Sequence, residues 1–510
     1  MVKDILKSIK KLKNYKYILF IIIILSFFLR FWDLGYSNFY GDETKTFYTD
    51  KTVSATKFFM SQRKGPVQYG VVWGMEKIVG GYDEFYTRIP FALAGSLSVL
   101  VFYLIVQKIS GRRAALLSTA LFGLNGFFVA FSRTIQYQSF LILFGLLSVY
   151  FVLLYQECED DFRKAYSVIS AVFIGLAYLS HYDAIFFDIA VSFILIKVFF
   201  DKKDKAWEIL KEIAIYYVLP AFLVAGAFYI PYVLGGHYAD NTASYVNRRL
   251  EGLNFNTNSS WYTFWIYNPH SIWAFLSVFA IPFFLKRSDW DRNLLVFWFL
   301  IPFVVFQFVF TNPGTHIHNY FIPLMMIIGI GASDFMDFIN EKSNKQHFYA
   351  ALLFLLGLLF VVDLFVFIPS VNKGFPWKAS RRYLSYVPKV NKKYHLFLYG
   401  FPYERGWEQI AEYVEENNEI RKIYTNDNDT IAQYYLKDID YTVPGVNYLP
   451  EYFIYVFDNQ DQVVLPEDML IELDDKTFDG VYDAQKAFFV EGELTAVLYK
   501  LNRPNIHYLD

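Results

Sequence analysis

The stretch ILFIIIILSFFL, residues 18–29, is followed a few residues later by FYGDETKTFY, residues 39–48. With its flanks, the first stretch has the length and apolar character of a membrane span. The second places two adjacent carboxylates, Asp42 and Glu43, just past the end of that span. A paired acid at this place predicts either chemistry at the membrane surface or the first turn of a surface helix, where acids are favoured.

The composition indicates a polytopic membrane protein. Of the 510 residues 55% are hydrophobic and only 19% are charged, a balance that a water-soluble chain of this size rarely has. The net charge of −2 gives no indication of a nucleic-acid partner. The single cysteine, Cys158, excludes an internal disulfide and a thiolate metal cluster. We interpret the first apolar run as a retained anchor, because no small-residue cleavage site follows it.

Apolar segments of membrane-spanning length recur along the first part of the chain, and we predict about eleven spans. The candidates are residues 15–31, 89–107, 114–131, 139–155, 165–181, 184–200, 213–234, 264–285, 294–310, 320–338 and 348–369.

The basic residues indicate the orientation. They concentrate at alternate ends of the spans, near residues 3–16, 108–113, 163–164, 202–211, 286–292 and 342–345. The short loops 180–184 and 311–319, on the opposite side, contain no Lys or Arg. The positive-inside rule then predicts a cytoplasmic N-terminus, and an odd span count places the C-terminal part outside the cell.

The composition changes after Ile368. GWEQIAEYVEENNE has helical spacing, whereas IRKIYTN, EYFIYVFDN and FFVEGELTAVLYKL are typical of strands, the last as a pair around Glu491–Glu493. We therefore predict a membrane domain over residues 1–370 and a soluble α/β domain over 371–510. The α/β domain lacks a nucleotide-binding fingerprint.

The first outward loop, residues 32–88, is long and contains GDETKTFY, QRKGPVQYGVVWGMEKI and YTRIP. In its middle, apolar residues alternate with lysines, which predicts amphipathic helices lying on the membrane surface. Such a loop can cover a site at the lipid boundary.

Several motifs in order resemble one enzyme family. GDE follows the first span, then come KGPVQY and RIPFALAGSLSVLVFYLIVQKISGRRAALLSTALFGLNGFFVAFSR, and later SHYDAIFF and HNYFIPL. Together they resemble the GT-C fold glycosyltransferases of the protein O-mannosyltransferase and aminoarabinose transferase superfamily, over roughly residues 15–330. The resemblance implies a polyprenyl-phosphate-linked sugar donor, an acceptor hydroxyl on a glycan, lipid or protein, and transfer on the outer face of the cell membrane.

On this interpretation Asp42 is the general base, since a carboxylate just outside a span can reach the attacking hydroxyl. Glu43 would orient Asp42, bind a sugar hydroxyl or help to hold a divalent ion. Two neighbouring carboxylates are expected to raise each other's pKa. We require no cofactor and assign no metal ligand, although a divalent cation could assist.

The leaving phosphate needs positive charge. Lys64 occupies the position of the family's Lys-Pro-Pro segment, here KGP, while Arg133 follows in FSRTIQYQS and Arg88 stands just before the second span. Each could instead contact lipid headgroups.

The chain departs from the family at Gln138, where many relatives have an acid in an SRxxxxD pattern. Gln138 can still hydrogen-bond a sugar or phosphate of the substrate, while the acids that could substitute for the second catalytic carboxylate are Asp183, Asp188 and Asp363. Helix–helix hydrogen bonding accounts equally well for the two intramembrane acids, Asp188 and Asp363.

Further candidates for substrate contact are histidines and aromatic residues on the outer side. They are His181, His316, His318, Tyr69, Tyr137 and Tyr320. The HIH spacing resembles a metal pair, yet no third ligand is evident nearby in the sequence, so a phosphate contact or a structural hydrogen bond is favoured.

Two rival functions stay open. A transporter would need ionisable pairs at mid-membrane, whereas the acids here concentrate at the outer ends of the spans. A non-catalytic glycan- or lipid-binding membrane protein of the same fold is compatible with Gln138.

Overall fold

The computed structural model describes residues 15–49, 52–159, 162–244, 270–310, 314–340, 345–372, 404–437, 439–441, 451–457 and 482–502, with a few single residues between 245 and 269. Among these residues, the part of the chain up to Asn372 forms helices joined by turns and loops. Its α-helices are α1 Tyr15–Phe31, α2 Gly41–Thr44, α3 Ala55–Met60, α4 Pro66–Val79, α5 Glu84–Gly123, α6 Gly126–Ser132, α7 Gln138–Glu157, α8 Phe162–Ser180, α9 Ile185–Asp201, α10 Ala206–Ile213, α11 Leu219–Leu234, α12 His270–Ser277, α13 Ala280–Leu285, α14 Trp290–Val304, α15 His318–Asn340, α16 Lys345–Phe367 and α17 Pro369–Asn372.

Within the described residues, seven helices have the length and hydropathy needed to cross a bilayer. They are Glu84–Gly123, Gln138–Glu157, Phe162–Ser180, Lys203–Leu234, Trp290–Val309, His318–Phe338 and Ala350–Phe367. The helices α1 and α9, at 17 residues each, are slightly shorter. The polytopic helical fold is confirmed, and the count of eleven spans stays a prediction.

One helix covers two predicted spans. The 40 residues of α5 contain the segment 89–107 and the start of the segment 114–131. A break at Gly111, with φ 81° and ψ 175°, divides α5 in the middle. The basic cluster at Arg112 and Arg113 follows this break, as expected for a tight turn at the end of a span.

The middle of the bundle is formed by α5, α7 and α15, whose facing sides are buried in one apolar core. The outer helix α11 buries few side chains and leaves Phe222, Leu223 and Leu234 exposed. A helix that is apolar on its exposed face is stable in lipid, so these side chains indicate the bilayer-facing surface.

Polar groups within the spans are used for packing between helices. Asp188 accepts hydrogen bonds from the hydroxyl groups of Tyr178 at 3.0 Å and Tyr217 at 2.8 Å, which ties three helical segments together. Arg30 is fully buried and donates to the carbonyl of Gly123 at 2.9 Å. These contacts give Asp188 the structural role that the sequence left open.

The C-terminal part is a small α/β unit, as predicted. Its elements are α18 Trp407–Glu416, β1 Lys422–Thr425, α19 Asp429–Tyr435, β2 Asp440–Tyr441, β3 Tyr452–Val456, β4 Tyr482–Val490 and β5 Glu493–Leu501. The sheet order is β2-β1-β3-β5-β4, with β1 parallel to β2 and β3, and β5 antiparallel to β3 and β4. The sequence missed β2 and α19, and the proposed boundary at 370/371 is followed by residues outside the described ranges.

The C-terminal unit packs on the first loop. The Arg405 guanidinium donates to the carbonyl of Phe39 at 2.7 Å, and the Tyr435 hydroxyl accepts from the Phe39 amide at 3.0 Å. The Thr44 and Thr430 hydroxyls lie 2.6 Å apart. The first loop and the C-terminal unit therefore lie on one side of the bundle.

The ends of the spans that carry basic residues lie together, on the side of the bundle away from the first loop. Residues 109–114, 286–292 and 330–337 line one cleft, where Arg292 and Lys286 pair with Asp334 at 2.5 and 2.8 Å. This arrangement agrees with the predicted alternation of the loops. Which side faces the cytoplasm stays a prediction.

Candidate active site

The short helix α2 carries the two acids, and Glu43 is the more deeply buried of them. Its Oε2 accepts from the Tyr40 amide at 2.6 Å, and its Oε1 accepts from the Ile135 amide at 2.8 Å. Arg88 donates to both oxygens, at 2.9 and 2.8 Å. Glu43 has no exposed surface, so it fixes α2 against the loop that begins at Arg133.

Arg88 has no donor left for a phosphate. Besides Glu43, its guanidinium donates to the carbonyls of Leu34, Ser37 and Asn38 at 2.9–3.2 Å. Its exposed fraction is 1%. This geometry speaks against the predicted phosphate contact of Arg88 and against a direct chemical role of Glu43. The hydrogen-bonding groups of both side chains are occupied by each other and by backbone groups.

Asp42 is the acid that faces the open side of α2, with 24% of its side chain exposed. Its Oδ1 lies 3.0 Å from Lys45 Nζ, and its Oδ2 lies 3.3 Å from Lys64 Nζ. Partial burial alone would raise the pKa of Asp42, but the Lys64 and Lys45 ammonium groups hold the pKa of this carboxyl well below its ordinary value. For Asp42 the expectation of a raised pKa is wrong, because its nearest charged neighbours are the Lys64 and Lys45 cations and Glu43 pairs with Arg88.

Lys64 is positioned by the following glycine. Gly65 has a φ of 114°, which favours glycine, and a Cβ there would lie 2.2 Å from the carbonyl oxygen of Leu179. The KGP turn therefore packs directly on the end of α8. Lys64 Nζ also lies 3.5 Å from Gln136 Oε1 and 5.5 Å from the centre of the Tyr137 ring.

Tyr137 connects Lys64 to a group of histidines. Its ring stacks on His181 with the centroids 3.9 Å apart and the planes 13° apart. Its hydroxyl lies 3.4 Å from His316 Nδ1. The loop after α6, the end of α8 and the start of α15 thus meet at one place.

Asp183 is the centre of the histidine group. Its Oδ1 lies 3.1 Å from His181 Nδ1, and its Oδ2 lies 2.6 Å from His316 Nδ1 and 3.4 Å from His318 Nε2. Asn319 donates to the same Oδ2 at 3.0 Å. Burial would raise the pKa of Asp183, but His316 and His181 hold it well below its ordinary value. Burial lowers the pKa of His181 to about 4, against the opposing effect of Asp183.

Arg133 is turned away from this group. It is 4% exposed, and its terminal nitrogens donate to the carbonyls of Leu29, Trp32 and Asp33 at 2.8–3.1 Å. Those contacts hold the end of α1. They speak against the predicted phosphate role, because the terminal nitrogens serve the backbone.

The other residues predicted to contact the substrate have different surroundings. Gln138 is buried, donates to the Thr315 hydroxyl at 3.5 Å and leaves Oε1 without a hydrogen-bond partner in the described structure. Tyr69 packs against Phe58 at 5.0 Å, and Tyr320 packs against Phe303 at 5.6 Å. The structure thus gives both tyrosines packing roles.

Sequence reasoning missed Gln136 and Lys45. Gln136 is 2% exposed, contacts Lys64 and has no hydrogen-bond partner for Nε2 among the described residues. Its signal was present, since Gln136 lies two residues before the Gln138 that we singled out. Lys45 has the i,i+3 spacing from Asp42 that favours an ion pair on a helix.

Comparisons with known proteins agree with this architecture. Residues 63–230 match the family model described as dolichyl-phosphate-mannose-protein mannosyltransferase. Lys64, Gln136 and Asp183 lie in the matched segment. No curated protein matches the chain in sequence.

Two solved structures have a similar fold along the whole chain. ArnT from Cupriavidus metallidurans bound to undecaprenyl phosphate has a TM-score of 0.55 at 13% identity, and covers 97% of this chain and 98% of its own. ArnT from the same organism in the apo state has a TM-score of 0.52 at 14% identity, with the same coverage. The resemblance predicted from the motifs is confirmed, and the chain is a multi-pass membrane protein with the GT-C glycosyltransferase fold.

Proposed function

We propose that this protein transfers a sugar from a polyprenyl-phosphate-linked donor to an acceptor hydroxyl on the extracytoplasmic face of the cell membrane, with inversion at the anomeric carbon. The sugar is a hexose or a pentose, and the acceptor hydroxyl belongs to a glycan, a lipid or a protein. The match to a mannosyltransferase family model and the shared fold with a protein that binds undecaprenyl phosphate support this proposal.

The observation that carries the proposal is the Asp42–Lys64 pair. A carboxylate and an ammonium group lie 3.3 Å apart, and each keeps about a quarter of its side chain exposed. The nearby Glu43–Arg88 pair is sealed from solvent. A carboxylate and an ammonium group that lie side by side and are partly exposed have the charges that this displacement needs.

The reaction is a single displacement. The acceptor oxygen attacks the anomeric carbon, the bond from that carbon to the phosphate oxygen breaks, and its electron pair goes to the polyprenyl phosphate. The hydroxyl proton goes to an Asp42 carboxylate oxygen. Lys64 stabilises the negative charge that grows on the departing phosphate oxygen.

The pair also explains how a strongly acidic carboxyl can act as a base. In the free protein, Lys64 and Lys45 keep Asp42 ionised. When Lys64 turns towards a donor phosphate, Asp42 loses part of that stabilisation and its affinity for a proton rises. The base is thus strengthened when the donor is present.

Gln136 is the next residue that we assign to the donor. Its Nε2 is a buried donor that lacks a partner in the described structure, while its Oε1 faces Lys64. A buried donor without a partner is costly, and a phosphate or sugar oxygen beside Lys64 would satisfy it. Many relatives have an acid at the position of Gln138, two residues after Gln136. In this chain the Gln136 amide supplies a hydrogen bond in that loop.

We further propose that residues 371–510 form a separate outer domain whose helix α19 covers α2. Thr430 and Asn428 touch the backbone of the helix that carries Asp42. The domain would therefore limit which acceptors reach the base.

The decisive experiment uses the purified full-length protein in detergent with a panel of polyprenyl-phosphate sugars and acceptor extracts from membranes. We expect one donor to be consumed with formation of a glycosylated product. Asp42→Asn should lower turnover by roughly 100- to 10,000-fold, the usual contribution of a general base, with donor affinity retained.

Binding of a donor without turnover in both the wild type and Asp42→Asn would favour the alternative, a non-catalytic glycan- or lipid-binding protein. Full turnover in Asp42→Asn would show that another group accepts the proton.

A further inference from the structure

We propose that His181, Asp183, His316 and His318 form a buried binding site for a divalent cation of the zinc type. The ligand atoms of His181, Asp183 and His316 all lie within 4.8 Å of one another. Imidazole nitrogens with one carboxylate are a donor set that suits zinc in preference to magnesium or calcium. This replaces our sequence-based expectation of no metal ligands.

The fold brings the third and fourth ligands from far along the chain. His181 and Asp183 lie at the turn between α8 and α9, while His316 and His318 lie at the start of α15. Each pair spans the boundary of a helical segment, since Asp183 lies in the short 3-10 helix after His181 and His318 is the first residue of α15. The sequence showed two separate motifs, and only the fold shows one group.

The hydrogen-bonding pattern of His318 leaves one ring nitrogen available as a ligand. Its Nδ1 lies 3.3 Å from the carbonyl oxygen of Thr315, which can only accept, so Nδ1 carries the hydrogen. In a neutral imidazole, Nε2 is then a bare lone pair. That Nε2 is buried, has no hydrogen bond and lies 3.4 Å from Asp183 Oδ2.

Asp183 Oδ2 is itself an acceptor, because Asn319 donates to it at 3.0 Å. Two acceptors that face each other repel, and positive charge between them, from a proton or a cation, removes the repulsion. No Lys or Arg of the described residues forms an ion pair with Asp183. A divalent cation bound by the carboxylate and the imidazoles would supply that positive charge, with His181 Nδ1 also accepting from the Asp183 amide at 3.1 Å.

The surroundings of the ligands have the form expected around a metal. A ligating histidine usually donates its other ring nitrogen to a backbone carbonyl, as His318 does to Thr315. Tyr137 stacks on His181 and separates this group from Lys64. The cation would thus hold His181 and the Tyr137 ring that stacks on it, over which Lys64 lies. It would not contact the reacting atoms.

The test measures metal directly and needs neither donor nor acceptor, so its failure is distinct from failure of the proposed transfer. Full-length protein in detergent is stripped with a chelator, loaded with ZnCl2, separated from free metal and assayed by elemental analysis. We expect about one zinc per chain, a zinc-dependent rise in Tm and visible absorption of a tetrahedral site after loading with CoCl2.

Asp183→Asn and His316→Gln should weaken zinc binding by more than the 10- to 100-fold that is typical of outer-shell partners. His318→Gln should weaken it as well. The matched controls are Asp188→Asn, a partly buried acid held by two tyrosines, and His237→Gln, both of which should bind zinc as the wild type does.

Wild-type protein that retains no zinc or cobalt would overturn the proposal and would identify the group as a hydrogen-bonded network with one protonated histidine. Zinc that is retained equally by the wild type and all ligand variants would place the metal elsewhere and would also overturn it. The measurement on the wild-type protein can refute the proposal by itself. The test therefore does not depend on whether the variants fold.

Discussion

Glu43 and Arg88 form a two-pronged ion pair, with nitrogen–oxygen distances of 2.9 and 2.8 Å, in which both side chains are almost completely buried. The pair joins α2 to the first turn of α5, and the same carboxylate also accepts the Ile135 amide. Two adjacent acids in the sequence therefore have different roles. Glu43 holds the loop together and leaves Asp42 as the acid available for chemistry.

Glu43→Gln should destabilise the protein by about 3–5 kcal/mol, because the Arg88 guanidinium would stay buried without a counter-charge. Thermal unfolding of the purified protein in detergent, followed by tryptophan fluorescence, measures this. Asp42→Asn is the control and should destabilise the protein much less, since Asp42 is partly exposed and solvent screens its ion pairs. A stable Glu43→Gln protein without turnover would instead assign chemistry to Glu43.

Lys64→Gln should lower kcat/KM by roughly 100-fold or more, as removal of one charge-stabilising group does in other enzymes. Lys45→Gln is the matched control, since both lysines pair with Asp42 but only Lys64 contacts Gln136. We expect Lys45→Gln to change kcat/KM only a few-fold, because Lys45 is 57% exposed and solvent screens its charge. Equal losses in the two variants would contradict a specific role for Lys64.

The pH dependence of folding stability and of kcat/KM should report the lowered pKa of Asp42. An unfolded aspartate has a pKa of about 3.9, and the folded value lies below it. The carboxylate thus contributes stability that is present above pH of about 3.9 and is lost as the pH falls towards the folded pKa. In the free enzyme, protonation of Asp42 should not limit kcat/KM at neutral pH.

Lys64→Gln removes one cation and leaves the burial that raises the pKa of Asp42. The acid limb of the kcat/KM profile should therefore move to higher pH in this variant. Profiles for wild type, Lys64→Gln and Asp42→Asn can be compared at constant ionic strength. An acid limb that is unchanged by Lys64→Gln would show that the limb does not report the protonation of Asp42.

The orientation can be tested with the single native cysteine. Cys158 ends α7 next to Glu157, which pairs with Lys108 at the basic side of the bundle. In intact cells, a membrane-impermeant maleimide should label Cys158 only after permeabilisation. In a Cys158→Ser background, Glu415→Cys on the exposed face of α18 should react from outside, and the reverse pattern would invert the topology.

The sequence was sufficient for features that depend on local pattern. Apolar runs predicted the helices, and alternating residues predicted β1, β3 and the β4–β5 pair. The missed elements, β2 and α19, are two and seven residues long, and such short segments carry little periodic signal.

The site was predictable only in part. GDE and KGP identified Asp42 and Lys64, which the structure brings within 3.3 Å. The roles of Arg88 and Arg133 could not be predicted, because an arginine at a span end has the same sequence signature whether it faces a phosphate or backbone carbonyls. The group around Asp183 depends on the turn after α8 meeting the start of α15, a contact between distant parts of the chain that no single motif encodes.

Gly41 of α2 lies so close to the C-terminal unit that a Cβ there would come within 2.7 Å of the Asn428 side chain. This contact orders the assembly of the protein in time. The helix with Asp42 leaves the ribosome soon after the first span, whereas Arg88, Ile135 and finally Asn428 and Thr430 are synthesised later. On the proposed mechanism, the nascent chain would therefore complete the surroundings of Asp42 only after its C-terminal unit has been synthesised and folded.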